Sequence, residues 1–338
     1  MMRDSIRTAS AGTWILRLGA VFFLTVLLVY PQTVFEGARE GLLLWFNTVF
    51  PAQFPFFVCI SLLIELDVLP IFQRIFEPFM RRVFGLPGEA SFVWLSGCIS
   101  GYPVGAKAAM ELWNKGELTK GQFQHLLCFC NNSGPLFILG TIGVGLLQNV
   151  TVGYVLLAAH ILSSLVNGIL FRFVYEKGDA GRREGKRRPI SPLEKPFGKM
   201  LGDSVYSGME LILQIGGFII LFSVLLRLLE GWQVAAYPAA LIHRLLPVLP
   251  VDVVESMLYG ILELTNGVRY VSRTSAALPV MAAACGFLTA FGGLSIQAQT
   301  AAVLKEGPVS FGAYLGAKVV QGVIAGGLSM LLALLFLR

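Results

Sequence analysis

Long apolar stretches alternate with short polar ones along the whole chain. Runs at 14–30, 50–66, 120–147, 150–173, 205–229, 277–304 and 309–337 approach or exceed the length a helix needs to cross a bilayer, about 20 residues. From Gly121 to Phe171 there is no Lys, Arg, Asp or Glu, enough chain for two crossings joined by a turn near Gln148-Asn149. Ser275 to Leu304 is likewise free of charge. The pattern predicts an all-α multi-pass membrane protein with about seven spans.

Other segments carry a different pattern. Residues 33–49, 70–86 and 232–249 mix charges and aromatics with apolar side chains, as helices lying in the membrane interface do. Thirteen-residue apolar pieces at 89–101 and 251–263 are too short to span, and a second short piece follows each. They predict two re-entrant helical hairpins. The first covers 89–114, with its tip at Ser100-Gly101-Tyr102-Pro103; the second covers 251–273, with its tip at Glu263 to Gly267. Irregular backbone at membrane depth is tolerated only where protein buries it or where it lines a watery cavity.

Composition agrees. Apolar side chains make up 55% and charged ones 14%, and mean hydropathy is +0.72, against about 25% charged residues in soluble chains. This excludes a disordered chain, a disulfide scaffold and an ordinary soluble enzyme. Thirty-seven glycines suit closely packed membrane helices. The net charge of +6 gathers at Arg3, Arg7 and Arg17, at Arg74, Arg81 and Arg82, and between Lys177 and Lys199. Flanking apolar spans, these clusters read as cytoplasmic segments rather than a nucleic-acid surface. With the N-terminus and the 177–199 loop cytoplasmic, every dense cluster falls on one side and Arg338 lies outside. The basic start followed by Val21 to Tyr30 reads as a first membrane helix, because no small-residue cleavage site follows. Cys59, Cys98, Cys128, Cys130 and Cys285 read as small core residues, not a disulfide set or zinc site.

In that layout the hairpins enter from opposite faces, as in an inverted repeat. Sliding the chain by 162 residues pairs Phe56 with Phe218, Ser61 with Ser223, Arg82 with Arg244, Gly105 with Gly267 and Lys107 with Arg269. After a shift of four, Gly134 to Ile138 meets Gly292 to Ile296. The chain divides into a membrane helix at 1–32, a first repeat at 33–175, a basic loop at 176–200 and a second repeat at 201–338.

Four polar interruptions stand out: Ser100 to Pro103, Asn131-Asn132-Ser133-Gly134-Pro135, Glu263 to Gly267, and Gly292-Gly293-Leu294-Ser295-Ile296-Gln297. Two are hairpin tips and two lie mid-span. Such breaks expose half-helix ends suited to anions and cations. The candidate substrate-binding residues are Ser100, Gly101, Tyr102, Lys107, Asn131, Asn132, Ser133, Glu263, Thr265, Asn266, Arg269, Ser295 and Gln297. An unpaired carboxylate at the tip, Glu263, would cost at least about 2.5–3.5 kcal/mol, so it should be paired, protonated or bound. Lys107 and Arg269 follow the two tips and either clamp an anion or snorkel. Lys318 in the last span and Glu210 read as snorkelled or paired. No zincin, Walker or dinucleotide fingerprint occurs and the three histidines are scattered, so nothing supports an enzyme.

Phe54-Pro55-Phe56-Phe57, Glu77-Pro78-Phe79-Met80-Arg81, Ser100 to Lys107 and Asn131 to Phe137 together resemble the sporulation integral membrane protein family of spore-forming bacteria. That family looks like a pair of nucleoside-recognition gate domains and is similar to the concentrative nucleoside transporters. The resemblance covers about residues 40–337. It implies export of dipicolinate from mother cell to forespore, across the outer forespore membrane. Glu263 would correspond to the nucleoside carriers' second-tip glutamate, and Ser295 to Gln297 to their next polar break. Their first-hairpin Gly-Gln-Thr/Ser-Glu signature is replaced here by Ser-Gly-Tyr-Pro, which points away from a nucleoside. The expectation is a secondary transporter in the cell membrane for a small anion, with dipicolinate or a nucleoside-like molecule and the lipid bilayer as partners. No cofactor is implied. A coupling ion (Na+ or H+) and a homo-oligomer stay open, and a non-transporting scaffold for spore-envelope assembly is the alternative from another class.

Overall fold

The computed structural model describes residues 11–66, 69–175, 195–305 and 307–337, and every regular element among them is helical. The first part comprises α1 (Ala11–Val29), α2 (Pro31–Leu44), α3 (Phe50–Glu65), α4 (Leu69–Phe79), α5 (Ala90–Ser100), α6 (Val104–Asn114), α7 (Lys120–Cys130) and α8 (Val150–Phe171). π-Helical stretches occupy Trp45–Val49, Met80–Phe84 and Phe137–Leu146. The second part comprises α9 (Phe197–Gly231), α10 (Ala236–Leu245), α11 (Val251–Leu262), α12 (Leu264–Val271), α13 (Leu278–Phe291), α14 (Gly293–Val303) and α15 (Phe311–Phe336).

Among the described residues, five helices are long and apolar enough to cross a membrane: Pro31–Leu63, Val150–Phe171, Phe197–Gly231, Leu278–Val303 and Phe311–Phe336. The other two expected crossings are α1 and the pair formed by α7 with the Phe137–Leu146 π segment, interrupted by the first polar break. Thr119 starts α7 with a capping box, its hydroxyl accepting from Gln122 N–H while the Gln122 side chain accepts from Thr119 N–H. Asn149 caps α8 through the N–H groups of Thr151 and Val152. Phe22, Leu28, Tyr154, Val323 and Phe336 leave most of their surface outside the protein. A bilayer, not water, suits that surface.

One boundary differs from the sequence reading. Residues 33–49 are not a separate interfacial helix. Pro31 to Glu65 is one unbroken helical run, and the π turn sits just ahead of Pro51 and Pro55. Phe50 N–H bonds back to Trp45 O, so the ladder widens before the residues that cannot donate. The charges that suggested an interface have protein partners. Glu36 pairs with Arg227 at 3.3 Å and Glu40 with Arg269 at 2.7 Å. On the same run, Gly37 and Gly41 press against α9. A Cβ on Gly37 would stand 2.9 Å from Val224 Cα, and one on Gly41 would stand 2.7 Å from Ser223 Oγ.

The two halves repeat the same order: a long helix, a short amphipathic helix, a two-armed hairpin, an interrupted crossing and a final span. Hairpin arms α5, α6, α11 and α12 have 11, 11, 12 and 8 residues, about 12–18 Å at the helical rise. None can cross alone. The hairpins enter from opposite ends. Arg172, just past α8, donates to the carbonyls of Arg82 and Val83 beside the first hairpin's base. At the other end of the α8 crossing, Leu147 and Gln148 share a cavity with Ser272 and Arg273, the second hairpin's base. The repeat is inverted. Of the basic clusters, Arg3, Arg7 and residues 177–194 lie outside the described residues. Lys195 bridges Glu65 at 2.9 Å and Asp203 at 3.3 Å, so α3 ends where α9 begins.

Candidate functional site

Both hairpin tips and both mid-span breaks meet at one cavity. Ser100, Gly101 and Tyr102 come from the first tip, and Glu263 and Thr265 from the second. Ser133, Gly134 and Phe137 come from the first break, and Ser295, Ile296 and Gln299 from the second. Gln53 and Phe57 on α3 and Phe218 and Ile219 on α9 close its sides. The cavity is small, about 60 Å³.

The backbone at these points follows from its glycines and prolines. Gly101 has φ +80° and Gly292 and Gly293 have φ +91° and +73°, values costly for any side chain. The Tyr102–Pro103 peptide bond is cis. The breaks turn half-helix ends toward the cavity. Those of α6, α12, α14 and the Phe137–Leu146 segment are N-terminal, and among them only α12 has a side-chain cap.

That cap is Glu263. Its carboxylate accepts from Thr265 N–H at 3.0 Å, Asn266 N–H at 2.7 Å and Asn266 Nδ2 at 2.9 Å. Asn266 Nδ2 also donates to Ser223 Oγ at 2.8 Å. The expectation of a partnered carboxylate is met by a helix N-terminus, whose dipole favours the negative charge.

The first tip and first break are tied across to the second half. Tyr102 Oη donates to Ala290 O at 3.0 Å, and Ser133 Oγ to Thr289 O at 3.0 Å. Asn131 Nδ2 donates to Thr300 Oγ1 at 3.1 Å and to Tyr314 Oη at 2.8 Å. Asn132 Nδ2 donates to Phe129 O at 2.7 Å and its Oδ1 accepts from Gln321 Nε2 at 3.0 Å. Ser133 N–H donates to His160 Nε2 at 3.1 Å. Gln297 Nε2 donates to Phe291 O at 2.5 Å, while its Oε1 is buried without a partner.

Of the expected site residues, Ser100, Gly101, Tyr102, Ser133, Glu263, Thr265 and Ser295 line the cavity. Asn131, Asn132, Asn266 and Gln297 are buried immediately behind it. Two are not brought there. Lys107 is exposed on α6, and Arg269 pairs with Glu40 and lines a different cavity. That second cavity, about 610 Å³, is bounded by Glu40, Asn47, Thr48, Gln148, Arg269 and Arg273, among others. The α2–α3 run, the Phe137–Leu146 segment and α12 carry residues of both cavities in succession. The larger is an antechamber in line with the smaller.

Lys318 corrects the sequence reading most. It does not snorkel, and among the described residues it has no carboxylate partner. It has no exposed surface and stands 2.9 Å from Asn131 O and 2.7 Å from Gln321 Oε1, with its ammonium 5.1 Å from the Tyr102 ring centroid. Among the described residues it is the one buried lysine or arginine. The missed signal was a polar stripe, Tyr314, Lys318 and Gln321, at helical spacing on the last span. No group of three or more His, Cys, Asp or Glu suited to a metal occurs among the described residues.

With this geometry in place, the relatives are informative. Over 328 residues the chain is 35% identical to the sporulation integral membrane protein YlbJ of Bacillus subtilis (strain 168), covering 92% of this chain and 80% of that protein. The chain belongs to the YlbJ family. Residues 46–144 match the Gate family, described as nucleoside recognition. They run from the π turn of the first long helix to the end of the first interrupted crossing, so they hold the first tip and the first break. The fold is also that of CNTnw. Its inward-facing, substrate-bound structure matches with a TM-score of 0.59 at 12% identity, covering 96% of this chain and 87% of that one. An outward-facing variant gives 0.58, also at 12% identity, covering 97% and 87%. The YlbJ-family chain is thus an integral membrane protein with the fold of CNTnw.

Proposed function

We propose that this YlbJ-family protein carries a small anionic metabolite across the membrane by alternating access around the central cavity. Dipicolinate, moved from mother cell to forespore across the outer forespore membrane, is the substrate the family implies. The observation that carries this reading is the convergence of two opposed hairpin tips and two helix breaks on one buried cavity. A scaffold has no need of that arrangement. Three half-helix N-termini there lack a side-chain cap and so offer partial positive charge to an anion, and Lys318 stands behind Tyr102. The antechamber supplies a path from the cavity toward the face of the second hairpin's base. With the basic 177–199 loop and the N-terminus cytoplasmic, that face is the far side of the membrane.

A second reading, a nucleoside or nucleobase carrier, is favoured by Glu263 at the cavity wall, since a carboxylate accepts hydrogen bonds from hydroxyl groups. Purified protein in proteoliposomes separates the two. Labelled dipicolinate should accumulate above empty vesicles and be displaced by unlabelled dipicolinate, not by nucleosides. Accumulation of a labelled nucleoside alone would establish the second reading, and accumulation of neither would remove transport of both.

A further inference from the structure

We infer that Lys318 is a resident cation of the first helix break. Its ammonium fills the place at the end of α7 where freed carbonyls would otherwise draw a sodium ion, so binding in the central cavity needs no added cation there. The second clause rests on the function proposed above; the first does not.

The hydrogen-bond polarity around Lys318 carries the argument. Asn132 Nδ2 donates to Phe129 O, which turns Asn132 Oδ1 toward α15. Gln321 Nε2 donates to that oxygen, which turns Gln321 Oε1 toward Lys318. The remaining contacts are the Asn131 carbonyl and the face of Tyr102. Lys318 therefore meets two oxygens and one aromatic face, and no donor. An ammonium has three N–H groups and no lone pair, so it satisfies all three contacts. A neutral amine would leave its lone pair facing acceptors. These contacts favour the charged form.

Its setting is one that attracts cations. Asn131 is the C-terminal cap of α7, where the helix carries about half a negative charge. A hairpin tip, a break and α15 enclose the point completely. Without the lysine, the Asn131 carbonyl and Gln321 Oε1 would face the vacated space with no donor between them, and oxygens are the ligands that hard cations take. Lys318 supplies that charge covalently, so it cannot be lost or transported. About half a positive charge remains after the α7 end is counted, and it faces the cavity across the Tyr102 ring. Glu263 and the end of α12 leave the opposite wall negative. A carboxylate in the cavity therefore turns toward the first tip.

The test uses full-length protein in detergent and reads thermal unfolding by intrinsic fluorescence, in sodium chloride and in choline chloride at equal ionic strength. The wild type should give the same midpoint in both salts. Lys318→Ala should be less stable in choline and recover specifically in sodium, because the vacated oxygens then bind it. A sodium-specific rise in the wild type overturns the inference. So does a folded Lys318→Ala without a sodium response. If Lys318→Ala does not fold, the wild-type comparison decides alone. In a separate arm, labelled dipicolinate should bind the wild type equally in both salts, and Lys318→Met should weaken it by about tenfold, because the charge behind the Tyr102 ring is lost while the apolar volume stays. Sodium-dependent wild-type binding, or an unchanged Lys318→Met, overturns the second clause. If dipicolinate binds in neither salt, the substrate assignment fails while the unfolding arm still judges the resident cation.

Discussion

The arms of each hairpin touch backbone to backbone at a pair of glycines, and this contact sets where the tips stand. In the second hairpin the pair is Gly260 on α11 and Gly267 on α12. A Cβ on Gly267 would run into Gly260 Cα, stand 2.7 Å from Gly260 N and lie 3.3 Å from Leu288 Cδ1. Carbon atoms pack at about 3.5–4.0 Å, so Gly267→Ala must spread the arms by roughly 1–1.5 Å. The Gly260 atoms are backbone and cannot swing away as the end of a side chain could. Overpacking of this kind costs about 1–3 kcal/mol, and here it acts four residues from Glu263 on a helix of 8 residues. Gly217 on α9 is the control. It lies in a helix with nothing within 4 Å of an added Cβ, so Gly217→Ala should stabilise by up to about 1 kcal/mol through helix propensity. Thermal unfolding in detergent should separate the two variants in opposite directions. Uptake into proteoliposomes should fall sharply for Gly267→Ala alone, since displacing a site by about 1 Å can cost as much as 100-fold. Equal midpoints and equal uptake for the two variants would refute the claim that arm contact positions the tip.

Glu263→Ala should destabilise by about 0.5–2 kcal/mol in the same unfolding assay, because three buried donors lose their acceptor. Glu263→Asp, retaining the charge, should lose less. Lys107→Gln should change dipicolinate affinity less than threefold, since the side chain is exposed on α6; a larger loss would return Lys107 to the site. Arg269→Gln should leave equilibrium binding in the central cavity nearly intact but slow uptake from the antechamber face, measured as initial rates at low substrate. Single cysteines at 87–90 and at 248–251 should label from opposite faces with impermeant reagent, and labelling from one face would contradict the inverted repeat.

The frame was readable from sequence because its causes are local. Hairpin arms are recognised by being too short, and breaks by Pro135, by paired glycines at 292 and 293, and by polar runs in apolar surroundings. The offset of 162 residues matches Gly105 with Gly267, and each is a crossing point between arms. What failed depended on partners distant in sequence. Glu36 and Glu40 looked like interfacial charges, yet their partners, Arg227 and Arg269, lie in the other half. Lys107 and Arg269 occupy equivalent positions but share no role, because one faces outward and the other meets Glu40. Lys318 could not be placed from its own span. A single cation in an apolar run reads the same whether it snorkels or faces a break, and only the packing of α15 on the first break decides it.

The repeat is faithful in its backbone and unfaithful in its polar atoms. In the first tip and break, Tyr102, Ser133 and Asn131 send side-chain donors across to the second half, to Ala290, Thr289 and Thr300. The second tip keeps its own. Glu263 caps the helix it begins, and Asn266 bonds Ser223 on α9, within the same half. Two equal halves would make two equal half-sites and could not distinguish one end of a substrate from the other. Here the halves differ in sign. A lysine stands at a helix C-terminus on one side, and a carboxylate at a helix N-terminus on the other. Each charge is offset by the helix end beside it, which makes it tolerable at that depth without an ion-pair partner. Both can then face a single cavity without neutralising each other directly. The symmetric frame brings the tips together, and the broken symmetry gives the cavity its polarity.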